Sequence, residues 1–305
     1  MKKQRNIPIL FVLIINFCVL SNCFSLAYSQ DTAILNEIKP GFKYRIAVVD
    51  FEDKTKYGQA RLGSAISDIL TTELAKSDIF IIVEREKLQR VFEEQKLQQS
   101  GLIQDESVVA LGQILGLNAL ITGSVSQFGM KVEGENALFV QTKRQIAEAV
   151  VDIRVIDAQT GKVLYADSGK GTAKKESGSF LGMGSSAGYD ETLGGKALRE
   201  AILKFVNNIV LKISNERWFC TIAELEGNNI YLDAGIESGL EIGTCLEVYH
   251  TGKEVRSASG ELIGKIEEKI GTIKIVKYFG NNGSIAEIES GSISYKGDIC
   301  RIAEK

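Results

Sequence analysis

Tyr44-Arg-Ile-Ala-Val-Val-Asp-Phe51 is a β-branched, apolar run that ends on the acids Glu52 and Asp53. It reads as a strand leading into a polar turn. Behind it, Leu62, Ala65, Ile66, Ile69, Leu70 and Leu74 recur at helical spacing, with Ser67, Asp68, Thr71 and Glu73 on the opposite face. Ile79 to Val83 predicts a second strand, buried on both faces. Glu84 to Gln99 predicts an amphipathic helix with Leu88, Val91, Phe92 and Leu97 inward. This strand-helix-strand order favours parallel pairing, because parallel neighbours need a crossover long enough to hold a helix.

Further along, Asp105 precedes a short helix (Val108, Val109, Leu111, Ile114, Leu115) that Gly116 stops. Ala119 to Phe128 and Ala147 to Ile156 read as strands, the latter with Ala147, Ala149, Val151, Ile153 and Val155 on one face. Thr160-Gly161 turns that strand into Val163 to Ala166. A helix from about Leu193 to Ser214 follows, striped by Leu198, Ala201, Ile202, Phe205, Ile209 and Ile213. Residues 43–214 are therefore expected to form an α/β (α+β) domain with a mixed sheet and packed helices. From Trp218 onward, glycines punctuate short apolar runs and no helical period survives, which predicts a small all-β barrel or sandwich domain over residues 217–305. Asn215-Glu216-Arg217 lacks the Gly, Ser or Pro richness of a flexible linker and reads as a tight junction.

The residues on these elements form an ordered series: Ile46-Ala-Val-Val-Asp-Phe51, Gly63-x-x-x-Ser67-x-x-Leu70, Val83-Glu-Arg-x-x-Leu88, Leu111-Gly-x-x-Leu-Gly-x-Asn-Ala-Leu-Ile-Thr-Gly123-Ser, and Arg154-Val-Ile-Asp157-x-x-Thr160-Gly161. In order and spacing, residues 44–214 resemble the curli-secretion-channel (CsgG) family. The tail is similar to the C-terminal domain of flagellar assembly protein T, on Ile230-Tyr-Leu-Asp-Ala-Gly-x-x-x-Gly239-Leu, Leu246-Glu-Val-Tyr249 and Ile270-Gly-Thr-Ile-Lys-Ile275. The first resemblance implies a periplasmic α/β domain, often lipid-anchored to the outer membrane, in a family with a member that assembles into a ring and inserts β-hairpins as a pore. That member carries a Tyr, an Asn and a Phe at its constriction, between the first strand and the next helix. Here the connection is Glu52 to Arg61, where Tyr57 is present but no Asn or Phe follows it.

A membrane-spanning strand needs ~10 residues that alternate apolar and polar. Phe128, Met130 and Val132 alternate with Gln127, Gly129 and Lys131, but the return arm Gln141 to Gln145 is polar on both faces. The stretch from Gly169 to Asp190 carries Lys174, Lys175 and Glu176 and few apolar residues. The pattern therefore favours a domain that does not build a transmembrane pore.

The N-terminal stretch sets the expected compartment. Lys2, Lys3 and Arg5 precede an apolar run from Ile7 to Leu20 with no acid before Asp31. This is the layout of a secretory signal, whose core is too short to span a bilayer. Residues 1–29 are expected to be a signal peptide and 30–42 an N-terminal extension. Two processing routes stand open: cleavage between Ser29 and Gln30, after the small-x-small Ala27-Tyr28-Ser29, or lipidation of Cys23 in Leu20-Ser21-Asn22-Cys23, where Asn22 replaces the small residue preferred there. Loss of the signal leaves 33 of the 36 basic residues against 39 acidic ones, a net charge of −6. That balance argues against wrapping nucleic acid. Of the cysteines, Cys220, Cys245 and Cys300 lie on separate strand-like runs without CxxC spacing. They read as buried thiols, or as one disulfide with one thiol over, and the sequence does not choose the pair.

Candidate chemistry is sparse. Gly182-x-Gly184-x-x-x-Gly188 lacks both the dinucleotide spacing and the Gly-Lys-Ser/Thr of a phosphate loop, so it reads as a plain loop. Asp50, Glu52 and Asp53 at a strand end could hold a hard cation, and equally form a solvated turn. His250 is the only histidine and is expected in an exposed turn, which leaves no Ser-His or Cys-His pair to build on. No catalytic residue, cofactor or metal ligand is assigned. The expected function is a non-enzymatic envelope assembly/transport component, periplasmic and outer-membrane associated. Its expected partners are further copies of itself and envelope or secreted proteins, not nucleic acid. The alternative is a soluble periplasmic binding or scaffold module whose C-terminal β domain captures a peptide, glycan or envelope partner.

Overall fold

The computed structural model describes residues 41–55, 61–94, 105–137, 140–180, 192–259 and 262–303. The expected signal (1–29) with Cys23, Ser29 and Gln30, nearly all of the N-terminal extension, Tyr57, Leu97 and the Gly182 to Gly188 loop lie outside the described residues. Phe42 to the C-terminus forms one compact unit.

Its first half is a mixed sheet. Strand β1 (Tyr44–Val48) lies between β3 (Phe80–Ile82) and β4 (Ala119–Ala137) and is parallel to both, with Ile46 opposite Ile82 on one side and Ala119 on the other. The crossovers are α1 (Arg61–Ala75), and α2 (Arg85–Glu94) followed by α3 (Asp105–Leu115). β5 (Val140–Asp157) and β6 (Val163–Phe180) then add as antiparallel hairpin strands, giving the order β3-β1-β4-β5-β6.

Alternation along β1 explains the layers. Ala47 and Val49 pack with Leu88, Val91 and Phe92 of α2 and with Val108, Leu111 and Leu115 of α3. On the other side, α4 (Thr192–Leu203) lies on β5 and β6 and meets α1, while α5 (Val206–Ser214) packs on α1 and β6. The Gly63-x-x-x-Ser67 spacing has a local cause. A side chain at Gly63 would run into the carbonyl oxygen of Phe51, and one turn later Ser67 Oγ, buried at 1% exposure, lies 3.0 Å from Val49 O and 3.3 Å from Phe51 N. The hydroxyl thus completes backbone groups where β1 stops, in place of water that cannot reach them.

Four expectations are corrected. Glu52–Asp53 is a short strand, β2, parallel to β4 at Ser124 and Val125, rather than a turn. β3 is an edge strand in which only Phe80 is buried, so its apolar run reflects one covered flank and not two faces. The long helix breaks after Leu203, because Phe205 takes φ −124° and ψ −8° to bury its ring completely, beside Gly169. β4, β5 and β6 run far beyond their apolar cores, since their ladder continues to Ala137 opposite Val140 and to Val140 opposite Phe180.

From Cys220 the chain forms a closed antiparallel barrel, order β10-β11-β8-β7-β12-β9, which settles barrel over sandwich. Its strands are β7 (Cys220–Glu226), β8 (Asn229–Leu232), β9 (Cys245–Arg256), β10 (Leu262–Phe279), β11 (Gly283–Gly291) and β12 (Ile299–Ile302). Ile222, Ile230, Leu232, Leu246, Val248, Ile273, Ile275 and Ala286 fill it, each at 1% exposure or less. The turn before it is pinned: Tyr44 Oη lies 3.0 Å from Ser214 O and 2.8 Å from Glu216 O, and Trp218 Nε1 donates to Lys43 O at 2.9 Å. Tyr44→Phe leaves the ring in place and removes only the hydroxyl. Chemical denaturation should show a loss of about 1 kcal/mol, the usual net worth of such a bond.

Candidate functional site

Among the described residues, a charged pair joins the sheet to the barrel. Arg45, on the same face of β1 as Ala47, donates to Leu115 O (3.3 Å), to the backbone oxygen of Asp233 and to Asp233 Oδ2 (3.4 Å). Asp233 also accepts from Thr221 N (2.7 Å) and Thr221 Oγ1 (3.0 Å). Burial pushes the Asp233 carboxyl above the usual carboxylate range, while Arg45 and Thr221 pull it back. Beside this pair, Asn118 spans the two halves: its Oδ1 accepts from Arg45 N at 2.7 Å and its Nδ2 donates to Phe219 O at 3.2 Å. The Asn of the Leu-Gly-x-Asn-Ala motif and the Asp of Tyr-Leu-Asp-Ala-Gly are thus joining groups. Both stood inside motifs, but nothing in the motifs placed both of them on Arg45.

Next to the junction lies a cleft of about 590 Å³, with Gln113, Gln159 and Thr160 on the sheet side and Thr251, Lys265, Lys296 and Arg301 among those on the barrel side. Gln159 is aimed by its turn: Asp157 Oδ1 accepts from the backbone N–H of Gln159 (2.9 Å) and Thr160 (2.7 Å). Arg301, on β12, grips Glu267 with both terminal nitrogens and lies 5.2 Å over the Tyr249 ring. Glu267 raises the Arg301 pKa further above its ordinary value, so the guanidinium stays charged. Two buried donors here have no acceptor, Gln159 Nε2 and Arg301 Nε. Gln159, Phe219 and Arg301 also line a second cavity of about 280 Å³, so these three residues form the wall between the two. The wall thus carries two unpaired N–H groups, while Lys296 beside it holds Glu224, Lys265 lies 4.0 Å from Glu254, and Glu267 adds an acid to the lining.

The other residues singled out in the sequence fall elsewhere. Asp50 pairs with Arg85 at 3.0 Å, Glu52 lies 3.6 Å from Lys54, and Asp53 caps Thr55 N at 2.9 Å. Among the described residues, no three His, Cys, Asp or Glu side chains converge as a metal site. His250 sits within β9 rather than in a turn, with Nδ1 2.7 Å from Asp298 Oδ1 and its ring stacked 4.5 Å from Tyr295. Cys23, Ser29 and Gln30 lie outside the described residues. The cleft residues Gln159, Lys265, Lys296 and Arg301 escaped sequence reading because only the closed barrel brings the three segments of Lys265, Lys296 and Arg301 to the sheet turn that holds Gln159.

A helix-layered mixed sheet followed by a closed barrel defines a two-part α/β and β-barrel protein, and the chain belongs to the curli production assembly/transport component CsgG family, whose model matches residues 27–232. It is similar to a protein of Neisseria meningitidis serogroup B provisionally named a lipoprotein, with 29% identity over 199 residues, 62% of this chain and 85% of that protein. It is also similar to the curli production assembly/transport component CsgG of Escherichia coli K12, with 24% identity over 220 residues, 66% of this chain and 75% of that protein. Among solved structures, lipoprotein GNA1162 of Neisseria meningitidis aligns with TM-score 0.34 and 15% identity, over 57% of this chain and 99% of that one. The PelC dodecamer of Paraburkholderia phytofirmans aligns with TM-score 0.29 and 13% identity, over 55% and 91%.

Proposed function

We propose that the protein is a periplasmic, outer-membrane-associated assembly/transport component, non-enzymatic and homo-oligomeric, that holds an envelope or secreted protein partner. The observation that carries this reading is the family match, which spans the whole sheet with its covering helices and runs into the barrel through β7 to the end of β8. The open edge of β6 supports self-association. It is an 18-residue strand that pairs only with β5 among the described residues, and such an edge is a template for another chain. The far end of the sheet favours a water-exposed extension over a membrane-inserted hairpin. In the row Val132, Gln145 and Lys175, two polar side chains share the face of the valine, so the apolar band that lipid requires is interrupted.

Sedimentation of the purified mature protein at micromolar concentration should give a defined oligomer, and cross-linking in cells should recover an envelope partner. A strict monomer with no partner would overturn the reading. The donor-rich cleft favours partner capture by the barrel face, the core of the alternative scaffold reading. In that case Lys265→Glu combined with Lys296→Glu should cut partner recovery at least tenfold and leave the oligomer intact. Unchanged recovery would remove the cleft from the mechanism.

A further inference from the structure

Cys220 on β7 and Cys300 on β12 stand directly opposite each other in the antiparallel ladder, at 4% and 0% exposure. Opposite residues of such a ladder have Cα atoms about 4.5 or 5.5 Å apart and side chains on the same face, and both spacings lie within the roughly 4.4–6.8 Å over which disulfides form. The two thiols interact: burial and a hydrogen bond with Cys300 raise the Cys220 thiol well above its ordinary pKa. Cys245 stands apart on β9, opposite Lys274, with its Sγ 3.4 Å from Glu289 Oε2. The location has mechanical meaning. β7 and β12 share only two register pairs, Ile299 with Thr221 and Cys300 with Cys220, whereas β12 shares four with β9. The thiols therefore sit on the shortest seam of the barrel wall.

We propose that Cys220 and Cys300 form a disulfide that staples the β7–β12 seam, with Cys245 left as the free thiol. This rests on the periplasmic reading, because an exported thiol–disulfide oxidoreductase in its disulfide form is the oxidant. The Cys220 thiolate attacks the enzyme's disulfide and displaces one enzyme thiolate, giving a mixed disulfide. The Cys300 thiolate then attacks the Cys220 sulfur, the bond between the two residues forms, and the enzyme leaves as a dithiol. Two protons and two electrons pass from the pair to the enzyme. Burial keeps the Cys220 thiol protonated in the finished barrel, so exchange belongs to the stage before the seam is covered, and the finished bond is shielded from reductants.

The test is mass spectrometry of protein isolated from the periplasm without reductant, with free thiols alkylated under denaturing conditions. The expected result is Cys245 alkylated, with Cys220 and Cys300 recovered as one linked peptide pair that takes up label only after reduction. Full alkylation of Cys220 and Cys300 in a chain whose N-terminus shows signal removal overturns the proposal. The same spectrum reports that N-terminus, so an unprocessed chain marks failure of the compartment reading instead. In that case, reduced protein is refolded from denaturant in a glutathione redox buffer. Formation of the 220–300 bond sustains the pairing, and its absence overturns it. Cys245→Ser should retain the bond and Cys300→Ser should abolish it. Reduction should lower the melting temperature by roughly 5–10 °C, given the long chain segment the bond closes.

Discussion

Arg45→Leu is expected to destabilise the protein by about 3 kcal/mol, the lower end for removing one partner of a buried charge pair, since both side chains keep about a fifth of their surface exposed. The substitution strands the Asp233 carboxylate and also withdraws a donor from Leu115 O at the end of α3. Asp233→Asn should cost less, about 1 kcal/mol, because the amide keeps an acceptor for Thr221 and no longer has to hold a charge out of water. The pH dependence separates the two. Asp233 binds its proton more tightly when folded than when unfolded, so its ionised form opposes folding above the folded pKa, and this penalty fades as pH falls through that value toward the unfolded one. Without Arg45 the folded pKa rises further. Urea titrations should therefore show Arg45→Leu regaining part of its lost stability in mild acid, and an equal deficit at neutral and acidic pH would refute this account.

Gly171→Val should be at least as damaging, with a loss of 3 kcal/mol or more or a failure to accumulate folded protein. A Cβ at this position would overlap Ala197 O and lie 2.5 Å from Ala201 N, both backbone atoms of α4 that cannot rotate away. The helix would have to lift from β6, uncovering Leu193, Ala197, Leu198, Ala201 and Ile202, all now at 2% exposure or less. Gly129→Val is the matched control. Nothing lies within 4 Å of a Cβ there, and a β-branched residue suits a strand. Thermal melts followed by circular dichroism should leave Gly129→Val within about 0.5 kcal/mol of the parent. Comparable losses in both would mean that strand glycines matter for a reason other than the approach of α4.

Hydrophobic periodicity made much of this fold legible, because it reports which side of an element is covered. The stripe of α1, the inward residues Leu88, Val91 and Phe92, the stop at Gly116 and the parallel start of the sheet all follow from it. It failed where exposure was shared. The outer halves of β4 to β6 carry little apolar alternation, so only backbone pairing extends them to Ala137 and Phe180. The break at Phe205 was invisible because Phe205, Ile209 and Ile213 continue the same stripe across it. The junction was half legible: Asn118 and Asp233 stood inside motifs, yet no pattern singled out Arg45 or Arg301. Chain separation hid them, since Arg45 and Asp233 are 188 positions apart.

The barrel is shut by β12, which bonds to β7 on one side and β9 on the other. A chain threaded through a membrane N-terminus first would expose the sheet strands long before Ile299 to Ile302 emerge. Until those four residues arrive, β7 and β9 each keep a bare flank, open to chaperones or to a wrong neighbour.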